Sequence, residues 1–204
     1  MKRTLVRRAV LAGAALTAAL LLAACGGSDS HDQMPGTHPA GGGPSGAAAF
    51  NDADVMFAQM MIPHHQQAVE MAALAGTRAA APEVKTLAGQ IKAAQDPEIQ
   101  AMRGWLTAWG RPAPTASHGM GGMNHGGMPG MMSDADMTEL EAATGNDFDK
   151  RFCTMMIAHH QGAIAMAEDE LANGASSDAK ALAQKIIAAQ QAEIDTMNKI
   201  VARL

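Results

Sequence analysis

From residue 51 onward, apolar residues recur every three or four positions through four long stretches separated by breaks, the spacing of amphipathic helices. At about 100° per residue, Phe57, Met61, His64, Ala68, Met71 and Ala75 fall on one face of the first stretch. His65 lies at the flank of that face, one turn from Met61. The pattern predicts helices near 52–75, 82–109, 146–172 and 178–203. Pro82 and Ser177 mark two starts and Asn173–Gly174 a stop. Ser133 with Asp136 predicts the capped beginning of a short helix ending near Ala143.

The four stretches are two copies of one hairpin. "MMIPHHQQAVEMA" at 60–72 returns as "MMIAHHQGAIAMA" at 155–167. With that offset held from 51 to 102, nearly half of the aligned pairs are identical, including Asp54/Asp149, His64/His159, His65/His160, Gln95/Gln190 and Glu98/Glu193. Short links within each pair and a long one between pairs predict an all-α, ferritin-like four-helix bundle. Its domain spans 50–204, with repeat one at 51–109, a linker at 110–133 and repeat two at 134–204.

Several polar residues fall on the apolar faces. The predicted inward stripe of the second helix is Leu87, Ile91, Ala94, Glu98, Met102 and Trp105, and of the fourth Leu182, Ile186, Ala189, Glu193, Met197 and Ile200. Each stripe has a glutamate in its middle. Burying carboxylates and imidazoles costs free energy unless they pair or bind metal. Two adjacent-histidine pairs facing two glutamates point to a metal site, with a His–Glu network that fixes helix register as the alternative. Pro63 and Pro97 precede His64 and Glu98, and each removes an intrahelical hydrogen bond beside a candidate ligand.

Residues ahead of the bundle are of another kind. "MKRTLVRR" followed by an apolar, Ala-rich run forms an export signal over 1–24, too short to favour a permanent span. "LAAC" fits a lipobox and makes Cys25 the lipidated first residue of an anchored protein, joined to the bundle by a Gly/Ser/Pro-rich tether over 25–49. The expected location is the outer face of the cell membrane or the periplasm. Loss of Lys2, Arg3, Arg7 and Arg8 with the signal moves the formal charge from -5 to -9. That balance, with two Trp, four Phe and no Tyr, argues against nucleic-acid binding. Lipidation of Cys25 leaves Cys153 without an intramolecular partner, as a small buried hydrophobe.

Methionine is the compositional anomaly, with 17 residues that cluster. The linker "HGMGGMNHGGMPGMM" carries His118, Met120, Met123, His125, Met128, Met131 and Met132 between glycines, which let soft side chains converge on one ion. Thioethers select Cu(I), and imidazole also accommodates Cu(II). His31, Met34 and His38 repeat the idiom in the tether.

The stretches "DADVMFAQMMIPHHQQAVEMA" and "GNDFDKRFCTMMIAHHQGAIAMA", with "LAGQIKAAQDPEIQAMRGWL" and "LAQKIIAAQQAEIDTM", resemble the bacterial domain-of-unknown-function family 305. The resemblance covers nearly all of 50–204. It implies a ferritin-like bundle outside the cytoplasm that binds copper or silver through Met60, Met61, His64 and His65, and through Met155, Met156, His159 and His160.

The leading expectation is a lipid-anchored copper-binding protein, without catalysis, for sequestration, tolerance or delivery. A di-metal oxidase needs more carboxylates than Glu98 and Glu193 supply. A purely structural or partner-binding bundle is the third reading. The chain lacks GxSxG, a phosphate-binding glycine loop and CxxC, so hydrolase, nucleotide and thiol-redox functions have no support.

Overall fold

A computed structural model describes residues 49–114 and 128–204. The signal, Cys25, nearly all of the tether, and His118, Met120, Met123 and His125 lie outside the described residues.

The described residues form five helices, in order α1 (Asp52–Arg78), α2 (Pro82–Ala108), α3 (Asp134–Ala142), α4 (Gly145–Asn173) and α5 (Ser177–Val201). The two hairpins, α1–α2 and α4–α5, pack along the α1–α4 seam, while α2 and α5 touch lightly. The protein is thus an all-α helical bundle. Asn51 opens α1 with a capping box closed by Asp54, and Ser133 and Asp136 open α3 in the same way. Pro82 occupies the first turn of α2, where its missing N–H costs nothing. Helices α1 and α2 continue through Pro63 and Pro97.

The duplicated aspartates tie the hairpins together. Asp54 on α1 accepts from the backbone N–H groups of Ala175 and Ser176 at the start of α5, the latter at 2.8 Å. Its counterpart Asp149 on α4 accepts from Ala80 and Ala81 at the start of α2, at 3.2 and 2.7 Å. Each repeat therefore caps the second helix of the other. Gly174 ends α4, as the sequence indicates, with an ordinary φ of -68 outside the left-handed region. Glycine is needed for space, since a Cβ would collide with the Glu170 carboxyl and come within 2.8 Å of Asp54 Oδ1.

The apolar core comes in two blocks. One takes Ala68, Met71, Ala72 and Ala75 from α1, with Phe148, Phe152 and Met156 from α4. The other takes Phe57, Met61 and Ile62 from α1, with Ala163, Met166 and Ala167 from α4. On α1 the division falls between Ile62 and Ala68, and on α4 between Met156 and Ala163. Those intervals hold the histidines.

Candidate metal centre

The inward stripe of α2 runs through Leu87, Ile91, Gln95, Ile99 and Met102, and that of α5 through Ala183, Ile186, Gln190, Ile194 and Met197. This corrects the predicted stripes. Ala94 and Ala189 are exposed, and Glu98 and Glu193 sit at the edge with side chains 18% and 17% exposed. One residue along a helix moves a side chain by more than a quarter turn, enough to put Gln95 in place of Ala94 on the inward face. Gln95 lies between Ile91 of one apolar block and Ile99 of the other, and Gln190 between Ile186 and Ile194. The glutamines therefore share the dividing layer with the four fully buried histidines.

Within the layer the second histidine of each pair faces its own hairpin. His65 donates from Nε2 to Glu98 Oε2 at 2.8 Å, and His160 donates from Nε2 to Glu193 Oε2 at 2.6 Å. The first histidines face each other across the α1–α4 seam, with ring centroids of His64 and His159 3.8 Å apart and tilted by 40°. His64 donates from Nε2 to the Pro129 carbonyl at 3.0 Å. Among the described residues, neither ring nitrogen of His159 has a well-formed hydrogen bond, though the His64 backbone lies within polar reach of the ring. Nδ1 of His64, His65 and His160, both amide atoms of Gln95, and Oε1 of Gln190 also lack a partner there.

Electrostatics keep the central pair neutral. Burial, then the neighbouring His65, pushes His64 down to about 3, only partly opposed by the Pro129 carbonyl. Burial, then His64 and His160, holds His159 well below the usual imidazole range. With Nε2–H donated to Pro129, neutral His64 presents its lone pair at Nδ1. A neutral imidazole is the form that ligates metal, and carboxylates behind His65 and His160 orient those rings as outer partners of metal ligands commonly do. Among the described residues, no three His, Cys, Asp or Glu side chains form a ready cage for an ion.

The predicted thioethers bracket this layer. Met61 and Met156 are fully buried, one turn before His64 and His159, and belong to opposite apolar blocks. Met60 and Met155 are half-buried against the same blocks. Of the linker methionines, Met128, Met131 and Met132 are described, and all three are half-buried. Their segment is tied to the layer by the Pro129–His64 bond and by Gln67, whose side-chain amide bonds both the N–H and the carbonyl of Met132 at 2.8 and 2.9 Å. Sequence reasoning missed Gln67, Gln95, Gln190 and the Pro129 carbonyl. Only the conserved spacing of Gln95 and Gln190 within the repeat signalled any of them. Cys153 is buried and free; burial, then Asp149, pushes its thiol up to about 11, away from the thiolate form that binds metal.

The model of a domain of unknown function, DUF305, matches residues 54–201. The chain belongs to the DUF305 family. A DUF305 fragment from Deinococcus radiodurans is 32% identical, with 76% of this chain and 98% of that one covered at a TM-score of 0.67. A DUF305 protein from Streptomyces coelicolor, described as secreted, is 34% identical over 74% and 93%, at 0.66. CopM in its Cu(I)-bound form is 34% identical over 74% and 96%, at 0.61, and CopM also has Cu(II)-bound and Ag-bound structures. No match is found among curated proteins.

Proposed function

We propose that this DUF305 protein binds copper in the histidine layer between its two hairpins, as Cu(I) in preference to Cu(II), and serves in sequestration, tolerance or delivery. The observation that carries the reading is the set of unpartnered imidazole nitrogens in a closed core. Each unsatisfied buried polar atom costs roughly 1–3 kcal/mol. A network that only fixed register would pair its imidazoles with side chains, whereas no side chain bonds the His159 ring among the described residues and only the His64 backbone approaches it. Neutral imidazoles without a ready cage suit a soft ion content with few donors, and Met61, Met156 and the linker methionines supply thioethers nearby. The Cu(I), Cu(II) and Ag forms of CopM support the same chemistry.

Glu98 and Glu193 act in this reading behind the histidines, so neither serves as a direct ligand of the di-metal oxidase kind. The linker residues His118, Met120, Met123 and His125 add further soft donors for Cu(I) in this reading. Export rests on the pattern of residues 1–24, lipid anchoring rests on Cys25, and the secreted Streptomyces relative supports export.

The test is a Cu(I) titration against a chromophoric chelator, under reducing anaerobic conditions. It uses protein released from the membrane fraction, whose intact mass also reports acyl chains on Cys25. Changing His64, His65, His159 and His160 together to Ala is expected to weaken Cu(I) binding at least roughly tenfold. Unchanged affinity, with helical content preserved, would reduce the layer to a structural device.

A further inference from the structure

The end of the linker sits where the two repeats differ. At the offset that makes His64 and His159 equivalent, Gln67 is matched by Gly162. Both positions grip the same segment. Gly162 is buried on α4, and a Cβ there would collide with the Pro129 carbonyl and stand 2.8 Å from the Gly130 nitrogen. Gly130 adopts φ +78, and a Cβ on it would come within 2.6 Å of the Ala158 carbonyl and 2.9 Å of the His159 carbonyl. Only two glycines allow so close an approach of linker backbone to helix. Gln67 holds the segment from the opposite side of the seam through its paired bonds to Met132. Between these two grips, Pro129 takes the Nε2–H of His64.

The segment therefore meets the ring of His64 and the backbone of His159, and it carries Met128, Met131 and Met132. We infer that Gln67 and Gly162 are positioning residues that dock a thioether-bearing strap over the central histidines, and that this docking gives the layer its preference for soft monovalent ions. The inference rests on the histidine layer being a metal site. Imidazoles alone serve Cu(II) as well as Cu(I), whereas thioethers favour Cu(I) and Ag(I). Undocking the strap removes sulfur from the site and leaves the nitrogens in place. The asymmetry of the repeat has a use on this view. A glycine in both positions would leave no clasp, and a glutamine in both would leave no seat.

The test compares the full mature chain with Gln67→Ala, Gly162→Val and the double variant Met128→Leu/Met131→Leu, titrating Cu(I) and Cu(II) separately. Circular dichroism monitors the fold, and X-ray absorption of the Cu(I) complexes reports sulfur ligation. In all three variants Cu(I) affinity is expected to fall roughly 10–100-fold, as for loss of partners that orient metal ligands. The sulfur contribution should fall with it, while Cu(II) affinity changes less than about threefold. Gln67→Ala adds no bulk, and the methionine-to-leucine pair preserves volume, so either decides the question if Gly162→Val does not fold. Unchanged Cu(I) affinity and sulfur ligation in Gln67→Ala would overturn the inference, and so would parallel losses of Cu(I) and Cu(II). Absence of Cu(I) binding in the unaltered chain would instead overturn the copper-binding reading beneath it.

Discussion

His64 and His159 are equivalent in sequence, yet the folded chain treats them differently. One gives its Nε2–H to Pro129, and the other has only the His64 backbone within polar reach among the described residues. Both resist protonation, which has a measurable consequence in the metal-free protein. An unfolded imidazole takes up its proton near 6.5, but His64 does so only at about 3. Between those values the unfolded chain binds more protons, so stability rises with pH across the window and is lost as pH falls through it. Glu170 works in the opposite sense. Burial, then the Asp54 carboxyl, pushes it up to about 8 from 4.5, so the folded chain keeps a proton that the unfolded chain releases. Its contribution is lost as pH rises through that interval. Urea midpoints should therefore peak near 6.5, where the gain still arriving from two half-titrated unfolded histidines balances the loss from one glutamate. His64→Gln/His159→Gln should flatten the acid side of that curve, by a few kcal/mol over the window. An acid side as steep as that of the unaltered chain would contradict the assigned burial of these rings.

Among the elements, the long helices, their order and the hairpin repeat were legible in the sequence because apolar spacing and duplication both survive in the residues. The cap at Ser133 was equally visible as a local pattern, whereas the box at Asn51 emerged only in the structure. The histidines of the layer were legible as polar residues on an apolar face. Their surroundings were not. Glu98 and Gln95 lie three residues apart on α2, and a small error in the stripe's angle exchanges edge for core. Pro129 contributes a backbone carbonyl, which carries no side-chain signature, and Gly162 contributes only an absence of volume. The reciprocal caps also depend on chain segments far apart in sequence, since Asp149 bonds residues 68 and 69 positions away. Asp149→Ala should cost about 1–2 kcal/mol by leaving the Ala80 and Ala81 N–H groups at the start of α2 uncapped. Chemical denaturation at neutral pH checks this, and an unchanged midpoint would show that the α2 start finds water instead.

At the scale of the whole molecule, duplication places two similar histidine pairs across one seam and makes a single layer of them, with an apolar block on either side. Neither hairpin alone holds that layer, because His64 meets His159 only when α1 packs on α4. Metal should therefore bind between the repeats, linking occupancy to their packing. The most direct measurement is anomalous diffraction from crystals of the mature chain grown or soaked with Ag(I), with Cu(I) crystals prepared anaerobically as the companion. An anomalous peak is expected at the α1–α4 seam within bonding distance of a ring nitrogen of His64 or His159. Peaks confined to surface methionines, with the buried histidines in their metal-free arrangement, would contradict it.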